Sequence, residues 1–154
     1  MTHWRAATAD DDEAIVAMSL ALYDEDPSPL PVSAAQVRAT LERLRSEPVR
    51  GRALVLEIDG TRAGYALLVS FWSNELGGEI CTIDELYVAP ALRGRRHATR
   101  FMESLIAGES SWPGRPVALE LEVSPDNARA LRLYERLGWR VKRNTTMRLP
   151  LGRG

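Results

Sequence analysis

The residues best suited to chemistry lie between Ile83 and Met102. Residues Ile83 to Val88 are predicted to form a buried strand that Pro90 ends, and an amphipathic helix is predicted after it. The turn between them, residues 93–97, reads Arg-Gly-Arg-Arg-His. Such a turn brings unpaired backbone N–H groups, the positive end of a helix dipole and fixed cations together. We therefore predict an anion site here, most naturally one for phosphate.

The same strand carries two adjacent carboxylates, Asp84 and Glu85, among otherwise apolar residues. Burying a carboxylate without a partner is costly, and neighbouring side chains of a strand point to opposite faces. At least one of the two should therefore face a cleft or a cation. A carboxylate in such a place can take a proton from a reacting amine. A salt bridge to one of the 19 arginines is the alternative, structural explanation.

Nucleophilic and metal chemistry find less support in the sequence. The single cysteine, Cys81, is predicted to be a buried structural thiol, because neither His3 at the terminus nor His97 in the basic turn is a plausible partner. No spacing of His, Cys, Asp or Glu is typical of a metal site, so we expect no metal.

The basic turn resembles motif A of the GNAT superfamily of N-acetyltransferases, whose signature is Arg/Gln-x-x-Gly-x-Gly/Ala. Arg93 and Ala98 match its first and last positions, whereas Arg96 stands where the family has its middle glycine. In the family, backbone amides of this loop hold the pyrophosphate of acetyl-coenzyme A, and Arg93 could brace the loop instead of touching phosphate. The implied cofactor-binding residues are Leu86, Tyr87, Val88, Arg93, Gly94, Arg95, Arg96, His97, Ala98 and Thr99.

A second segment, residues 127–139, resembles motif B of the same family, Asn-x-x-Ala-x-x-Leu-Tyr-x-x-x-Gly-Phe. Matching positions are Asn127, Ala130, Leu133, Tyr134 and Gly138. The resemblance implies that Asn127, Ala130 and Tyr134 contact the cofactor and that Tyr134 protonates the departing thiolate. Asn127 as an ordinary helix N-cap and Tyr134 as a core residue are the structural alternatives.

The elements that must position these residues are predicted in the order β-α-α-β-β-β-α-β-α-β. Periodicity alone indicates an α/β or α+β domain. The resemblance implies the GNAT fold, an α/β fold with a mixed sheet whose fourth and fifth strands splay apart and admit the cofactor. We predict a single domain over residues 1–150 and a frayed C-terminal tail over residues 151–154.

Local signals place several of these elements. Ser33-x-x-Gln36 is a capping box that opens the second helix, and Asp59-Gly60 is a hairpin turn. Residues 24–31 read as an acidic, proline-broken loop, and residues 139–149 are predicted to form the closing strand.

Charge and hydropathy limit the classes of function. The net charge is −1 and no apolar run approaches the ~20 residues of a membrane span, so nothing indicates nucleic acid or a membrane as a partner. A soluble cytoplasmic protein is expected, and a homodimer is compatible with this interpretation.

The resemblance therefore implies an enzyme that transfers an acetyl group from acetyl-coenzyme A to a primary amine of a small molecule, in a ternary complex. Polyamine-type members carry a similar carboxylate pair, which points to Asp84 as the base first and to Glu85 as the alternate. Two alternatives stay open. One is a protein N-terminal acetyltransferase, and the other is a non-catalytic coenzyme-A-binding module, which Arg96 at a glycine position favours.

Overall fold

The computed structural model describes residues 1–109 and 112–152 and contains one five-stranded sheet. The strands are β1 (Thr2–Ala6), β2 (Gly51–Ile58), β3 (Thr61–Ser73), β4 (Gly78–Val88) and β5 (Ala118–Leu121). The helices are α1 (Asp12–Glu25), α2 (Ala34–Ser46), α3 (His97–Ala107) and α4 (Ala128–Arg136), with 3₁₀ turns at Ala9–Asp11 and Pro90–Leu92. No helix in the described ranges is long and apolar enough to cross a membrane.

The strands lie in the order β1-β2-β3-β4-β5, and the first four form antiparallel neighbours. The last pair is parallel and runs from Ile80 opposite Ala118 to Ile83 opposite Leu121. Beyond Ile83, β4 pairs with β3 alone among the described residues. The mixed sheet and its strand order confirm the predicted fold class. The short β4–β5 ladder agrees with the expectation that the fourth and fifth strands splay apart.

The chain divides into two compact units, Met1–Leu121 and a second that begins at Glu122. The first unit contains the whole sheet with α1, α2 and α3, and the second contains α4. The prediction of a single domain over residues 1–150 stays a prediction, as does that of a frayed tail, of which residues 153 and 154 lie outside the described part.

Apolar clusters cover the sheet of the first unit, and two of them can be given by their residues within the described part of the chain. One joins buried residues of α1 and α2 to Tyr65 and Tyr87 of the sheet. The other gathers Leu56 and Val88, against which the start of α3 packs through Ala98. Burial of such a face supplies most of the stability of a helix in a protein, since short helices are marginal alone.

The predicted capping box is confirmed at the start of α2. The Ser33 hydroxyl accepts a hydrogen bond from the Gln36 backbone N–H at 3.2 Å, and the Gln36 side chain accepts one from the Ser33 N–H at 2.6 Å. Two backbone N–H groups at this helix start, which have no partner within the helix, are thereby hydrogen-bonded.

The predicted closing strand over residues 139–149 is wrong, because the structure assigns no strand there. A half-buried strand needs apolar side chains on every second residue. Here Val141 and Met147 are six residues apart, with basic and polar residues between them. Val141, Met147 and Leu149 are 79%, 91% and 82% exposed. The segment therefore has no buried face that would fix it in a ladder.

Candidate active site

A strand, a basic turn and a helix follow one another as the sequence predicts, with β4 leading through the turn into α3. Gly94 and Arg96 both have left-handed backbones, with φ of 79° and 63°. Arg96 is the N-cap of α3, and no side chain caps this helix start. The first N–H groups of a helix have no partner within it. The turn therefore offers backbone donors and a helix dipole to an anion, which fits a pyrophosphate.

The Arg96 side chain leaves this turn. Its Nη2 atom donates to Glu103 Oε1 at 3.1 Å, so the guanidinium extends along α3. The side chain is 65% exposed. A left-handed backbone is costly for any residue with a Cβ atom and free for glycine. The positive φ of Arg96 explains why a glycine suits this position. Because its side chain extends toward Glu103, it does not cover the backbone N–H groups at the start of α3.

Arg93 braces the turn from behind. Its Nε atom donates to the Val88 carbonyl oxygen at 2.9 Å, and its Nη2 atom contacts both carboxylate oxygens of Glu25 at 2.9 and 2.8 Å. The guanidinium also lies 5.4 Å from the centre of the Tyr87 ring. Arg93 thus ties the end of β4 to the last residue of α1.

The remaining predicted cofactor residues differ in exposure. Arg95 is exposed, while His97, Ala98, Thr99 and Leu86 are partly buried and Tyr87 and Val88 are buried. The backbone of the turn and the exposed cations are therefore accessible, whereas Tyr87 and Val88 are largely closed to solvent.

Asp84 lies at a β-bulge in β4. Leu67 pairs with Glu85 and Leu68 pairs with Ile83, so the register shifts at Asp84, which is the extra residue of the bulge. Its side chain is exposed. A bulge interrupts the ladder and turns the following side chain toward a new direction.

Glu85, which follows the bulge, accepts three hydrogen bonds from hydroxyl groups. Tyr65 Oη donates to its Oε1 at 2.6 Å, Ser19 Oγ donates to Oε1 at 3.2 Å, and Tyr23 Oη donates to Oε2 at 3.0 Å. We call Ser19, Tyr23, Tyr65 and Glu85 the hydroxyl cluster. Burial and the nearby Glu85 carboxylate raise the pKa of Tyr65 far above its ordinary value, so its phenol stays protonated.

The sequence analysis missed the three hydroxyl donors. Tyr65 is the one residue with a polar side chain in the apolar run 63–69, which is a signal that could have found it. Ser19 and Tyr23 lie four residues apart and so share one face of α1. That this face meets Glu85 follows from tertiary packing, which periodicity does not show.

Cys81 is buried in β4, and burial and the neighbouring Glu79 raise the pKa of its thiol to about 12. The thiolate form that a nucleophile requires is thus absent near neutral pH. No group of three or more potential metal ligands occurs in the two described ranges.

The motif B residues lie in the second unit. Asn127 Oδ1 accepts a hydrogen bond from the Ala130 N–H at 3.1 Å, so Asn127 is the N-cap of α4. Gly138, with φ of 95°, follows the helix end. The Tyr134 and Trp139 rings are 6.0 Å apart, and burial raises the pKa of Tyr134. At neutral pH this phenol is therefore protonated.

Comparisons with known proteins identify the family and the fold of the chain. The model of the acetyltransferase (GNAT) family matches residues 9–139. A possible acetyltransferase from Clostridium difficile 630 has a similar structure, with a TM-score of 0.82, 17% identity and 99% of both chains covered. No curated protein matches the chain.

Two further solved structures share the fold at low identity. A ribosomal-protein-alanine N-acetyltransferase from Brucella melitensis biovar Abortus 2308 has a TM-score of 0.70 and 17% identity, over 99% of this chain and 100% of that one. An acetyltransferase from Trypanosoma brucei has a TM-score of 0.69 and 21% identity, over 98% and 100%. The family match supports acyltransferase activity, and the family generally uses acetyl-coenzyme A as co-substrate. The chain belongs to the GNAT acetyltransferase family.

Proposed function

We propose that the protein transfers the acetyl group of acetyl-coenzyme A to a primary amine of a small molecule. The observation that carries this proposal is the uncapped, left-handed turn at the start of α3, which follows β4 and the 3₁₀ turn Pro90–Leu92 in the chain. The carboxylate of Glu85, held by hydroxyl groups, lies on the same strand. The turn suits a diphosphate and the carboxylate suits an amine.

The diphosphate is proposed to bind the backbone N–H groups of the turn, that of Arg96 among them, with Arg95 as a nearby cation. Arg93 holds the turn in place and is occupied by Glu25 and Val88, so it is proposed as a brace. The part of β4 beyond Ile83 pairs only with β3 among the described residues, which supports a backbone N–H near Val88 as the group that polarises the thioester carbonyl.

Glu85 is proposed as the base in preference to Asp84. Three hydroxyl groups fix its orientation, whereas Asp84 is exposed at the bulge. The ammonium group of the acceptor gives a proton to the carboxylate, and the free amine attacks the thioester carbonyl carbon. A C–N bond forms, the C–S bond breaks, and the nitrogen gives its second proton to water, so that a neutral amide results. The thiolate then takes a proton, and we propose Tyr134 as the donor on the strength of motif B.

Proximity supplies much of the rate in such a reaction, since holding two reactants together can lower the barrier by ~7–11 kcal/mol. Acceptor choice therefore depends on the groups that hold the amine. A protein N-terminus is the alternative acceptor, and a module that binds coenzyme A without turnover is the alternative of another class.

Two measurements test the proposal. Calorimetry should show binding of acetyl-coenzyme A, and absence of binding at millimolar cofactor would contradict the assignment. Release of free thiol with a panel of alkylamines, amino acids and peptides should then identify the acceptor class. Binding without thiol release from any of them would favour the non-catalytic module, and release with peptides alone would favour the N-terminal acetyltransferase.

A further inference from the structure

Among the described residues, the carboxylate of Glu85 receives hydrogen bonds from neutral donors only. Most other paired carboxylates of the first unit contact arginine, as Asp11 does with Arg5 and Glu25 does with Arg93. Within the described part of the chain Glu85 forms no ion pair and receives only hydroxyl hydrogen bonds. Hydroxyl groups fill the lone pairs of a carboxylate but leave its negative charge uncompensated.

The same strand contains a carboxylate for comparison. Glu79 accepts hydrogen bonds from Ser70 Oγ at 2.8 Å and from Trp112 Nε1 at 2.9 Å, and it is likewise held by neutral donors. It lies six residues before Glu85, about 20 Å along the strand, where β4 is paired on both sides. Glu85 differs because it follows the bulge and lies beyond the β4–β5 ladder.

Two donors of the hydroxyl cluster, Tyr65 and Ser19, are buried. Tyr65 is fully buried and Ser19 is 1% exposed, so neither side chain is free to turn toward solvent. Ser19 and Tyr23 come from α1 and Tyr65 from β3, so the carboxylate is held from two elements at once. A carboxylate has about four lone-pair positions, of which three are occupied here. One position thus remains for a donor that comes from outside.

We propose that the hydroxyl cluster is the receptor for the acceptor's ammonium group, with Ser19, Tyr23 and Tyr65 as positioning residues that hold Glu85 for it. The acceptor class is accordingly an alkylammonium ion. Its positive charge takes the place beside Glu85 that an arginine has beside Asp11 and Glu25. An arylamine or an alcohol, which is neutral at pH 7, cannot supply this charge. The inference rests on the proposed acetyl transfer and narrows its substrate class.

Steady-state kinetics test the positioning role. With saturating acetyl-coenzyme A, butylamine and aniline are compared as acceptors for the wild type, Tyr65→Phe and Ser19→Ala. Ser70→Ala is the matched control, because it removes a hydroxyl donor to Glu79 from the same pair of strands. We expect kcat/KM for butylamine to fall roughly tenfold to a hundredfold in Tyr65→Phe, as for a lost hydrogen bond to a charged group.

The control should stay within about twofold of the wild type, and the affinity for acetyl-coenzyme A should be unchanged in every variant. A purely structural role for Tyr65 would lower the melting temperature but leave the KM for butylamine unchanged. Equal kcat/KM values in Tyr65→Phe and Ser70→Ala would overturn the inference. Aniline used as well as butylamine would overturn it too.

A binding measurement separates failure of the inference from failure of the proposed function. Butylammonium chloride and butanol are titrated into the cofactor-free wild type and Glu85→Gln, with NMR chemical shifts as the readout. We expect butylammonium to bind at least tenfold more tightly than butanol, and Glu85→Gln to lose that preference. If this holds without acetyl transfer to any amine, the receptor stands and the proposed function is wrong. If transfer occurs and Glu85→Gln binds butylammonium like the wild type, the receptor is wrong and the function stands.

Discussion

Arg96 combines a left-handed backbone with a side chain that extends toward Glu103. Arg96→Gly should raise the free energy of unfolding by about 1 kcal/mol, because glycine adopts positive φ without strain. The affinity for acetyl-coenzyme A should change less than tenfold, since the backbone N–H is present in both proteins. Thermal unfolding and calorimetry check the two quantities. A tenfold tighter complex would mean that Arg96 obstructs the turn, and the non-catalytic module would gain support.

The two carboxylates of β4 should differ in their effect on turnover. We expect Glu85→Gln to lower kcat more than Asp84→Asn, and the deficit to shrink as pH rises. A base matters most when the amine arrives protonated, and at high pH the free amine is already present. Rates between pH 7 and 10 with melting temperatures for each variant check this. A variant that melts early but has a normal rate per folded molecule would assign its carboxylate a structural role.

Tyr134→Phe should leave the affinity for acetyl-coenzyme A nearly unchanged and lower turnover. A general acid typically contributes ~10²–10⁴-fold. Burial raises the pKa of Tyr134, so its phenol is protonated at neutral pH. Single-turnover rates measure the effect, and an unchanged rate would mean that Tyr134 serves packing against Trp139.

At the scale of elements, the turn before α3 offers a matched comparison. Gly94 and Gly60 both have φ of 79°, and a Cβ atom on either would meet no atom within 4 Å. Gly94→Val and Gly60→Val should therefore lose similar stability, roughly 1–2 kcal/mol. Only Gly94→Val should weaken binding of acetyl-coenzyme A, as calorimetry would show. Equal affinities in the two variants would place the cofactor elsewhere.

The elements with strong local signals were predictable from sequence. The capping box at Ser33 and the strand–turn–helix from β4 to α3 depend on residues close together in the chain. Residues 24–31 were expected to be loop, but α1 extends through Glu25, within the usual error of a helix end. The last residue of this extension, Glu25, carries the carboxylate that Arg93 binds.

The site was predictable only in part. The turn residues and Glu85 stand out by type and spacing. The hydroxyl donors, by contrast, lie 20 to 66 positions from Glu85 in the chain. Nothing in the periodicity of α1 shows which of its polar side chains meets β4. The resemblance to polyamine-type members of the family placed Asp84 first. The bulge, which gives the two carboxylates different positions in the sheet, is a property of strand pairing.

At the scale of the whole molecule, a buried ion cluster ties β1, the 3₁₀ turn before α1 and the start of β3. Asp11 is fully buried and accepts hydrogen bonds from Arg5 Nη1 and Arg62 Nε, each at 2.8 Å. The hydrogen bond from Arg5 lowers the pKa of Asp11 well below its usual value, against the opposing effect of burial. A carboxylate whose folded-state pKa is lowered stabilises the fold above its ordinary pKa and loses that contribution in acid.

Asp11→Asn should therefore lower the free energy of unfolding at pH 7 by about 3 kcal/mol, the lower end for a broken buried pair, because both arginines are partly exposed. The wild type should lose this advantage as pH falls below about 4, so the two stability curves should converge in acid. Denaturant titrations at several pH values measure this. Glu13→Gln, which breaks the exposed pair with Arg38, is the control and should change the free energy of unfolding far less. A constant gap between the Asp11 curves at all pH values would contradict the assignment.

The burial of Cys81 has a practical consequence for every assay of thiol release. Coenzyme A is detected with reagents that couple to thiolates, and such reagents also label accessible protein cysteines. This chain has one cysteine, and its thiol is fully buried with a pKa of about 12. The protein itself should therefore react very little with the thiol reagent. Its signal should stay low, and the reagent should not inactivate it by labelling Cys81 during a continuous assay. Slow acceptors can thus be screened at high enzyme concentration.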